Sequence, residues 1–405
     1  MIKNIYKQLW NQRKANIWIV TELFLVSIFL WVIADQLLFQ YNRFNRPMGY
    51  DIENTYTIWL YQLNSSAEGY ISEEESGSNP LDDLLTIFSR LRKVEGVEEV
   101  AASTCSRPYS SCNAEIMFRS IHGNDTITHS GIVRIVSPEH FKVFQIQTPD
   151  GHDPVSHPFQ RQSVLSKDLA DSLKVSRGDS ITCDWANIPL FADICTEIRY
   201  AETWDDVSNG YLVMPEAELV RNQWPQDISI RLCDNLSEDQ RIAVWENIKA
   251  ACHINNFSFF LSRSYKDIRK EYVSYTVDEI KSMSWYAIFL MINIFLGVIG
   301  TFWFRTQQRR SEIGLRQALG ASRRSIFTQL ITEGIILLAV VIIPTVIVLI
   351  NAWYLDLLSP NGSVTRFLFC MLTTWLLTML MIIVGIWYPA WQATKVKPAD
   401  VLHEE

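Results

Sequence analysis

The sequence lacks the short motifs that mark the common enzyme families. It has no Gly-x-x-x-x-Gly-Lys-Ser/Thr phosphate loop, no His-Glu-x-x-His, no Gly-x-Ser-x-Gly and no Cys-x-x-Cys. Those patterns hold ATP phosphates, catalytic zinc, an acyl-transfer serine, and a redox or zinc-binding cysteine pair. We therefore predict no catalytic residue, no metal site and no cofactor in this chain, and no ATP hydrolysis by the chain alone.

Histidine is also scarce, with seven in the chain. His152 and His157 stand five residues apart in a segment that also holds Pro149, Pro154 and Pro158. Two histidines at this spacing are compatible with metal binding, but no further ligand type completes a set. Proline-rich segments with Asp and Gly favour turns, so we interpret this segment as a surface turn.

No excess of positive charge is present, since the net charge is −8. Residues 39–282 hold 23 Lys and Arg against 36 Asp and Glu, a local charge of −13, and the rest of the chain is basic at +5. Nucleic-acid binding needs a basic face, so nucleic acid is excluded as a partner. An acidic middle between basic flanks is instead typical of a membrane protein that obeys the positive-inside rule.

Four apolar runs are each long enough to cross a bilayer core, which takes about 20 residues of helix. The first is too long for a signal peptide and lacks a small-residue cleavage site, so we expect an uncleaved anchor. Residues 1–16 and 305–325 are both basic, which predicts that both termini are cytoplasmic. The predicted transmembrane helices are 17–38, 283–304, 326–350 and 367–388. The predicted segments between and around them are a cytoplasmic amphipathic helix 1–16, an extracytoplasmic domain 39–282, a cytoplasmic loop 305–325, an outer loop 351–366 and a cytoplasmic tail 389–405.

The fold class predicted is therefore a membrane α-helical part of four transmembrane helices plus an α+β domain inserted between the first and second spans. Period-two alternation predicts strands at 56–60, 132–136, 180–183, 211–214 and 228–232. Helical periodicity predicts helices at 81–91, 165–173 and 238–255. Residues 106–215 are richer in turns and polar residues than their flanks, so we expect them to form an inserted subdomain.

Six of the seven cysteines fall in the acidic domain, and Cys370 lies in the fourth span. An even number outside the membrane permits disulfides, with fifteen connectivities for three bridges. Reduced cysteines buried as small apolar residues are an equal alternative. The candidate disulfide residues are Cys105, Cys112, Cys183, Cys195, Cys233 and Cys252, of which Cys105 with Cys112 and Cys183 with Cys195 are the sequence-local pairs.

Polar residues within the spans are candidates for function because carboxylates in lipid are costly and tend to face protein or water. Glu22 and Glu333 either make contacts between helices or extend to the nearby interface, and the sequence leaves both alternatives open. Asn293 either donates a hydrogen bond across helices or is merely tolerated. Asp35 lies near the outer end of its span, a position that needs little explanation.

The cytoplasmic loop carries the most informative pattern. Ile313, Leu315, Ala318 and Leu319 give a short helix a partly apolar face, among seven charges at 305–325. We expect Gly320 to end this helix in a left-handed conformation and Ser322 to cap the next one. Such a helix suits docking into a groove of a soluble partner, and a basic anchor without a partner is the alternative.

This loop resembles the signature of MacB/FtsX/LolC-type ABC transporter permeases. The similarity covers Glu312-Ile-Gly-Leu-Arg-Gln-Ala-Leu-Gly-Ala321 followed by Glu333, and the family's closing pattern at 388–402. Matching residues of that closing pattern are Pro389, Ala390, Ala393, Pro398 and Leu402. The four-span layout matches over the whole chain, whereas the large domain matches only loosely.

The resemblance implies a bacterial inner-membrane permease that works as a dimer, with a second copy or a related permease, on two ABC ATPase subunits. ATP and Mg would be bound by the ATPase, which is expected to be a separate polypeptide because MacB's fused ATPase is missing here. Further implied partners are membrane lipid and a periplasmic adaptor or hydrolase. The implied ATPase-coupling residues are Arg310, Glu312, Ile313, Gly314, Leu315, Arg316, Ala318, Leu319, Gly320 and Ala321.

Two functions follow from this resemblance. The first is transmission of ATPase-driven motion to a MacB-like periplasmic domain, for export, efflux or lipoprotein release. The alternative is an FtsX-like signal-transmitting protein that controls a periplasmic hydrolase or sensor, although FtsX-like members have smaller outer domains. A membrane scaffold without an ATPase is a third interpretation, which the loop motif disfavours.

Overall fold

A computed structural model describes residues 13–110, 114–123, 125–199, 201–202, 209–222, 227–355, 357 and 363–393. The chain divides into two compact units. One is the membrane unit, made of residues 1–42 and 277–405, and the other is the sheet unit, Arg43–Thr276. The predicted helix at 1–16 falls almost wholly outside the described residues.

The sheet unit is built on one ten-stranded sheet. Its strands are β1 Thr55–Gln62, β2 Val97–Thr104, β3 Ala114–His122, β4 Asp125–Val136, β5 Gln162–Ser166, β6 Ser180–Cys183, β7 Ala186–Cys195, β8 Asn209–Val213, β9 Asp227–Leu232 and β10 Phe257–Ser264. They lie in the order β10-β1-β9-β2-β4-β3-β6-β7-β5-β8. Most neighbours are antiparallel, and β4–β8 and β5–β7 are parallel.

The helices of the described chain number eleven. They are α1 Arg13–Asn45, α2 Glu73–Ser76, α3 Pro80–Leu91, α4 His140–Val143, α5 Lys167–Leu173, α6 Glu216–Asn222, α7 Glu238–Ala251, α8 Tyr265–Gln308, α9 Arg310–Ala318, α10 Arg323–Tyr354 and α11 Val364–Ala393. Helices α2 to α7 belong to the sheet unit, and α9 to α11 belong to the membrane unit.

Local sequence accounts for helix α3 of the sheet unit. Asn79 caps α3 through its side chain, which accepts hydrogen bonds from the N–H groups of Leu81 and Asp82, and Pro80 fixes the first turn. Apolar residues then recur at helical spacing and are buried in the core, including Ile87, Phe88 and Leu91. A helix with one apolar face is stable only when that face is covered, here by the sheet.

Most of the predicted elements of this unit are confirmed, including α3 and the strands at 56–60, 132–136, 180–183, 211–214 and 228–232. The helix predicted at 238–255 forms as α7 but ends at Ala251. The predicted start of a helix at residue 165 was wrong, because Leu165 and Ser166 belong to β5 and α5 begins at Lys167. Where a buried strand leads directly into a helix, the apolar residues continue without a break. Periodicity alone then misplaces the boundary between the strand and the helix.

The strand order divides at the β2–β4 pair. The flanks of the predicted subdomain supply four neighbouring strands, β10, β1, β9 and β2. Residues 106–215 supply the other six, in the sheet order β4-β3-β6-β7-β5-β8. Two residue pairs join the halves, Ser103 with Val136 and Thr104 with Ile135. The subdomain boundary itself stays a prediction.

In the described part of the chain, four helices are long and apolar enough to cross a membrane. They lie at Ile17–Asn45, Tyr265–Gln308, Arg323–Tyr354 and Val364–Pro389, and they contain the four predicted spans. The second has 44 residues, about twice what a bilayer requires. This chain is a multi-pass membrane protein.

Candidate functional site

The predicted coupling segment forms the helix α9, which starts directly after α8 ends. Gly320 takes a left-handed backbone conformation with φ +98°, and the N–H of Ala321 donates to the carbonyl of Arg316 at 2.9 Å. Ser322 then caps α10 by accepting a hydrogen bond from the N–H of Ser325. Both predictions for this turn are confirmed, because a positive φ costs glycine little and serine satisfies an unpaired N–H group.

Five side chains from the start of this segment and from α10 form a closed ring of hydrogen bonds, named here the polar ring. Arg309 donates to Glu312 at 3.1 Å and to Glu333 at 2.8 Å. Arg316 donates to Glu312 at 2.5 Å and to Gln329 at 3.0 Å, and Gln329 donates to Glu333 at 3.2 Å. The polar ring therefore ties α9 to α10 at several points.

The Arg309–Glu333 pair is the buried side of the polar ring. The Glu333 residue is 1% exposed, and the Arg309 side chain is 10% exposed. Burial lowers the pKa of the Arg309 guanidinium, but the carboxylates of Glu333 and Glu312 outweigh it and raise that pKa above its ordinary value. A buried charge without its partner is strongly destabilising, so each of these two residues requires the other.

Helix α9 divides its apolar residues between two directions. Ile313 and Gly314 are buried, and Ile313 packs in a core cluster with Ile326 and Leu330 of α10. Leu315 and Leu319 point outward, 55% and 80% exposed. One face is thus held against the membrane unit, while the other presents leucines without cover from the described residues of this chain.

The remaining predicted coupling residues lie on the same segment. Glu312 and Arg316 are members of the polar ring, and Ala321 is half-buried against the core cluster of α10. The side chains of Arg310 and Ala318 are outside what the structure describes. The coupling role of the whole set stays a prediction.

The other predicted intramembrane residues have different surroundings. Glu22 of α1 lies against Gly297 of α8, where a Cβ would come within 2.1 Å of the Glu22 Oε1. Asn293 is exposed and donates to the carbonyl of Phe289 in its own helix at 2.8 Å. The structure therefore places Glu22 and Glu333 at contacts between helices and leaves Asn293 on a helix surface.

Two features of the membrane unit escaped the sequence reasoning. Asp35, which was not selected as a site residue, is 3% exposed and pairs with Arg366 at 2.9 Å. Arg309 and Gln329 were not singled out, although they complete the polar ring. No sequence signal pairs residues 24 or 331 positions apart; only a buried carboxylate in an apolar run suggests that a cation must be near.

The candidate disulfide residues form no bridge with one another where the structure describes them. Cys195, Cys233 and Cys252 carry free thiols, and Cys112 lies outside the described residues. Cys183, Cys195 and Cys252 are buried in apolar clusters, and the Cys195 thiol donates to the carbonyl of Leu165 at 3.4 Å. In the structure, these three cysteines are therefore small apolar core residues and do not form disulfide bridges.

The proline-rich segment with His152 and His157 forms turns, and the ring of His157 stacks on Phe191 at 6.0 Å. Within the described ranges, no group of three or more His, Cys, Asp or Glu side chains is placed to hold a metal ion.

Comparison with known proteins gives a family match within the membrane unit. Residues 285–398 match the family model described as FtsX-like permease C-terminal, and this range contains the polar ring. No curated protein matches the sequence.

Three solved structures are similar to part of the chain. The first is the extracellular domain of the ABC-type transporter YknZ from Gram-positive bacteria, at 16% identity over 51% of this chain and 100% of that chain, with a TM-score of 0.29. The second is the periplasmic region of MacB from Actinobacillus actinomycetemcomitans, at 11% identity over 57% of this chain and 97% of that chain, with a TM-score of 0.32. The third is a domain of a putative permease protein from Porphyromonas gingivalis, at 14% identity over 52% of this chain and 92% of that chain, with a TM-score of 0.31. At such low TM-scores these likenesses carry no argument, and the assignment rests on the family match. Residues 285–398 are therefore similar to FtsX-like permeases, and the predicted resemblance to that family is confirmed.

Proposed function

We propose that this chain is the permease subunit of an ABC transporter and that α9 is the element through which a separate ATPase moves it. The observation that carries the proposal is the division of α9 into a fixed face and an open face. Ile313 and the polar ring hold the helix to α10, while Leu315 and Leu319 are exposed. Exposed leucines next to fixed charges suit a groove on a soluble protein.

In this proposal, the polar ring transmits a displacement of α9 to the membrane helix α10. A docked partner displaces α9, and the displacement passes to α10 through five hydrogen-bonded side chains rather than through one flexible contact. The chain also connects α9 directly to α8, which continues from the sheet unit. Motion of α8 and α10 is therefore the output that the ATPase cycle would produce.

The charge distribution supports an orientation of this chain in the membrane. The segments at 1–16 and 305–325 are basic, so both termini and α9 are proposed to be cytoplasmic. The sheet unit and the loop at 351–366 then lie outside the bacterial inner membrane. ATP and Mg belong to the ATPase partner, and a second permease chain completes the dimer.

Transmission of motion to the sheet unit serves export, efflux or lipoprotein release in this proposal. The competing function is control of a periplasmic hydrolase or sensor by the same ATPase cycle. The size of the sheet unit, Arg43–Thr276, favours the first, because FtsX-like regulators have smaller outer domains.

The test is purification of the full chain in detergent from its native membrane, followed by mass spectrometry and ATPase assay of the co-purified proteins. We expect an ABC ATPase to be recovered with the parent chain. Leu319→Asp should abolish that recovery, because it places a charge in the apolar contact. The matched control is Leu357→Asp, also an exposed leucine but predicted on the opposite side of the membrane.

A second variant separates docking from coupling. Glu312→Arg puts like charges against Arg309 and Arg316 in the polar ring. We expect the ATPase still to bind while its stimulation by the permease is lost. An unchanged stimulated rate in Glu312→Arg, or recovery of no ATPase with the parent chain, would overturn the proposal.

A further inference from the structure

A cleft opens in the sheet unit, far along the chain from the polar ring. It is enclosed by the ends of β4 and β8, by α4, and by the segments that follow β2 and β7. The polar residues that line it include Ser106, Arg107, Arg134, His140, Arg199 and Asn209.

The lining of this cleft has an unbalanced charge. Three guanidinium groups line it, and none of the described lining residues is acidic. Arg134 is 3% exposed on β4, beside Tyr211 of β8. Arg199 donates to three backbone carbonyls, those of Arg43, Arg46 and Glu202. These carbonyl contacts orient its guanidinium without removing its charge.

Arg107 is positioned at the rim by two contacts. Its Nε lies 3.4 Å from the carboxylate of Asp227, and its guanidinium lies 5.6 Å from the ring centre of Trp59. Its Nη1 is buried and has no hydrogen-bond partner among the described residues. A buried donor without an acceptor is unfavourable, so a hydrogen bond from this group to an acceptor in the cleft would be stabilising.

His140 supplies a second unpaired group. It is 2% exposed, its ring lies 4.7 Å from that of Phe144, and its Nδ1 has no hydrogen-bond partner within the described structure. Burial, and then the charge of Arg134, lower the pKa of this imidazole to about 3. The ring is therefore neutral at physiological pH, and one of its nitrogens can donate an N–H without adding a charge.

We propose that this cleft binds a small oxyanion, a carboxylate or phosphate group of a soluble molecule, with Arg107, Arg134 and His140 as donors. Arginine pairs with either group through two parallel N–H donors, which fits a site lined by guanidinium groups. The bound anion would satisfy Arg107 Nη1 and His140 Nδ1 together. This inference does not depend on ATPase coupling, since every residue that carries it lies in the sheet unit.

The test is equilibrium binding to the full chain in a neutral detergent, with labelled inorganic phosphate and labelled succinate as the probes. We expect saturable binding of at least one probe. Arg107→Gln should weaken it about tenfold or more, as loss of a charged hydrogen bond does. His140→Phe keeps the aromatic packing and should also weaken binding, because it removes the donor. Arg177→Gln is the matched control, since it breaks another arginine–aspartate pair, with Asp193, outside the cleft.

Two further measurements make the outcome decisive. Thermal unfolding of the parent chain should shift upward with phosphate or succinate but not with chloride at equal ionic strength, which needs no variant. Competition in nanodiscs with and without phosphatidylglycerol distinguishes the sources: displacement of the probe by this lipid would overturn the soluble ligand in favour of a headgroup. No saturable binding of either probe, or equal binding by the parent, Arg107→Gln and His140→Phe chains, would overturn the site.

Discussion

At the residue scale, the membrane unit depends on two buried ion pairs. Arg309 with Glu333 joins the coupling segment to α10, and Arg366 with Asp35 joins the start of α11 to α1. The guanidinium of Arg366 also lies 5.3 Å from the ring centre of Phe39. Removal of one member of such a pair costs more than removal of both, since a single buried charge stays behind without its counterion.

This asymmetry gives a prediction for the polar ring. Arg309→Met and Glu333→Leu should each destabilise the membrane unit by about 3–5 kcal/mol, and the double variant should lose less than either single variant. Thermal unfolding of the purified chain in detergent measures the three losses. Arg324→Gln, which removes an exposed arginine at the start of α10, should leave stability nearly unchanged.

Strictly additive losses in that double-mutant cycle would contradict direct pairing of Arg309 and Glu333. Losses near zero in both single variants would show that water reaches the pair, because hydration would then stabilise the remaining charge.

At the element scale, helices α3 and α7 of the sheet unit owe their starting points to local sequence. Asn79 caps α3, and Ser237 with Gln240 forms a capping box at α7. These side chains satisfy backbone N–H groups that have no partner within the helix. The caps fix where each helix begins, and burial of one face against the sheet fixes its position.

The cap of α3 can be tested by substitution. Asn79→Ala should lower the stability of the sheet unit by about 1 kcal/mol, because the N–H groups of Leu81 and Asp82 lose their acceptor. Thr86→Ala lies on the exposed surface of the same helix and should be neutral or slightly stabilising, since alanine favours helix. Chemical unfolding followed by tryptophan fluorescence measures both, and equal effects would count against the capping role.

At the scale of the whole molecule, charge and hydropathy together decide how the chain is placed in the membrane. The four long helices and the basic segments at 1–16 and 305–325 alternate along the chain in the order that four crossings require. In the proposed topology, the acidic sheet unit, which is chain-linked to two of these helices, lies on one side of the membrane.

Cysteine labelling in intact cells tests the proposed topology. Glu68→Cys and Leu357→Cys should react with a membrane-impermeant maleimide once the outer membrane is opened, whereas Arg324→Cys should react only after the inner membrane is also permeabilised. All three parent residues are exposed, so accessibility is governed by the side of the membrane. The parent chain gives the background from its own thiols. Labelling of Arg324→Cys before permeabilisation would reverse the proposed orientation.

The sequence by itself determined the features that local physics controls. Runs of apolar residues at 17–38, 283–304, 326–350 and 367–388 gave the membrane helices, because unpaired backbone groups are excluded from lipid. Alternation gave most strands, and single residues such as Asn79, Gly320 and Ser322 gave helix ends, since caps and left-handed turns are decided within a few positions. The loop motif gave the resemblance to FtsX-like permeases, which the match over residues 285–398 confirms.

Only the tertiary structure decided which distant residues meet. Arg309 reaches Glu333 across 24 positions, Arg366 reaches Asp35, and the lining of the cleft is collected from residues between 50 and 211. Burial also left Cys183 and Cys195 as separate core residues rather than a bridge. Periodicity carries information only over the few residues of a helical turn or a strand, whereas long-range pairs follow from how the elements pack.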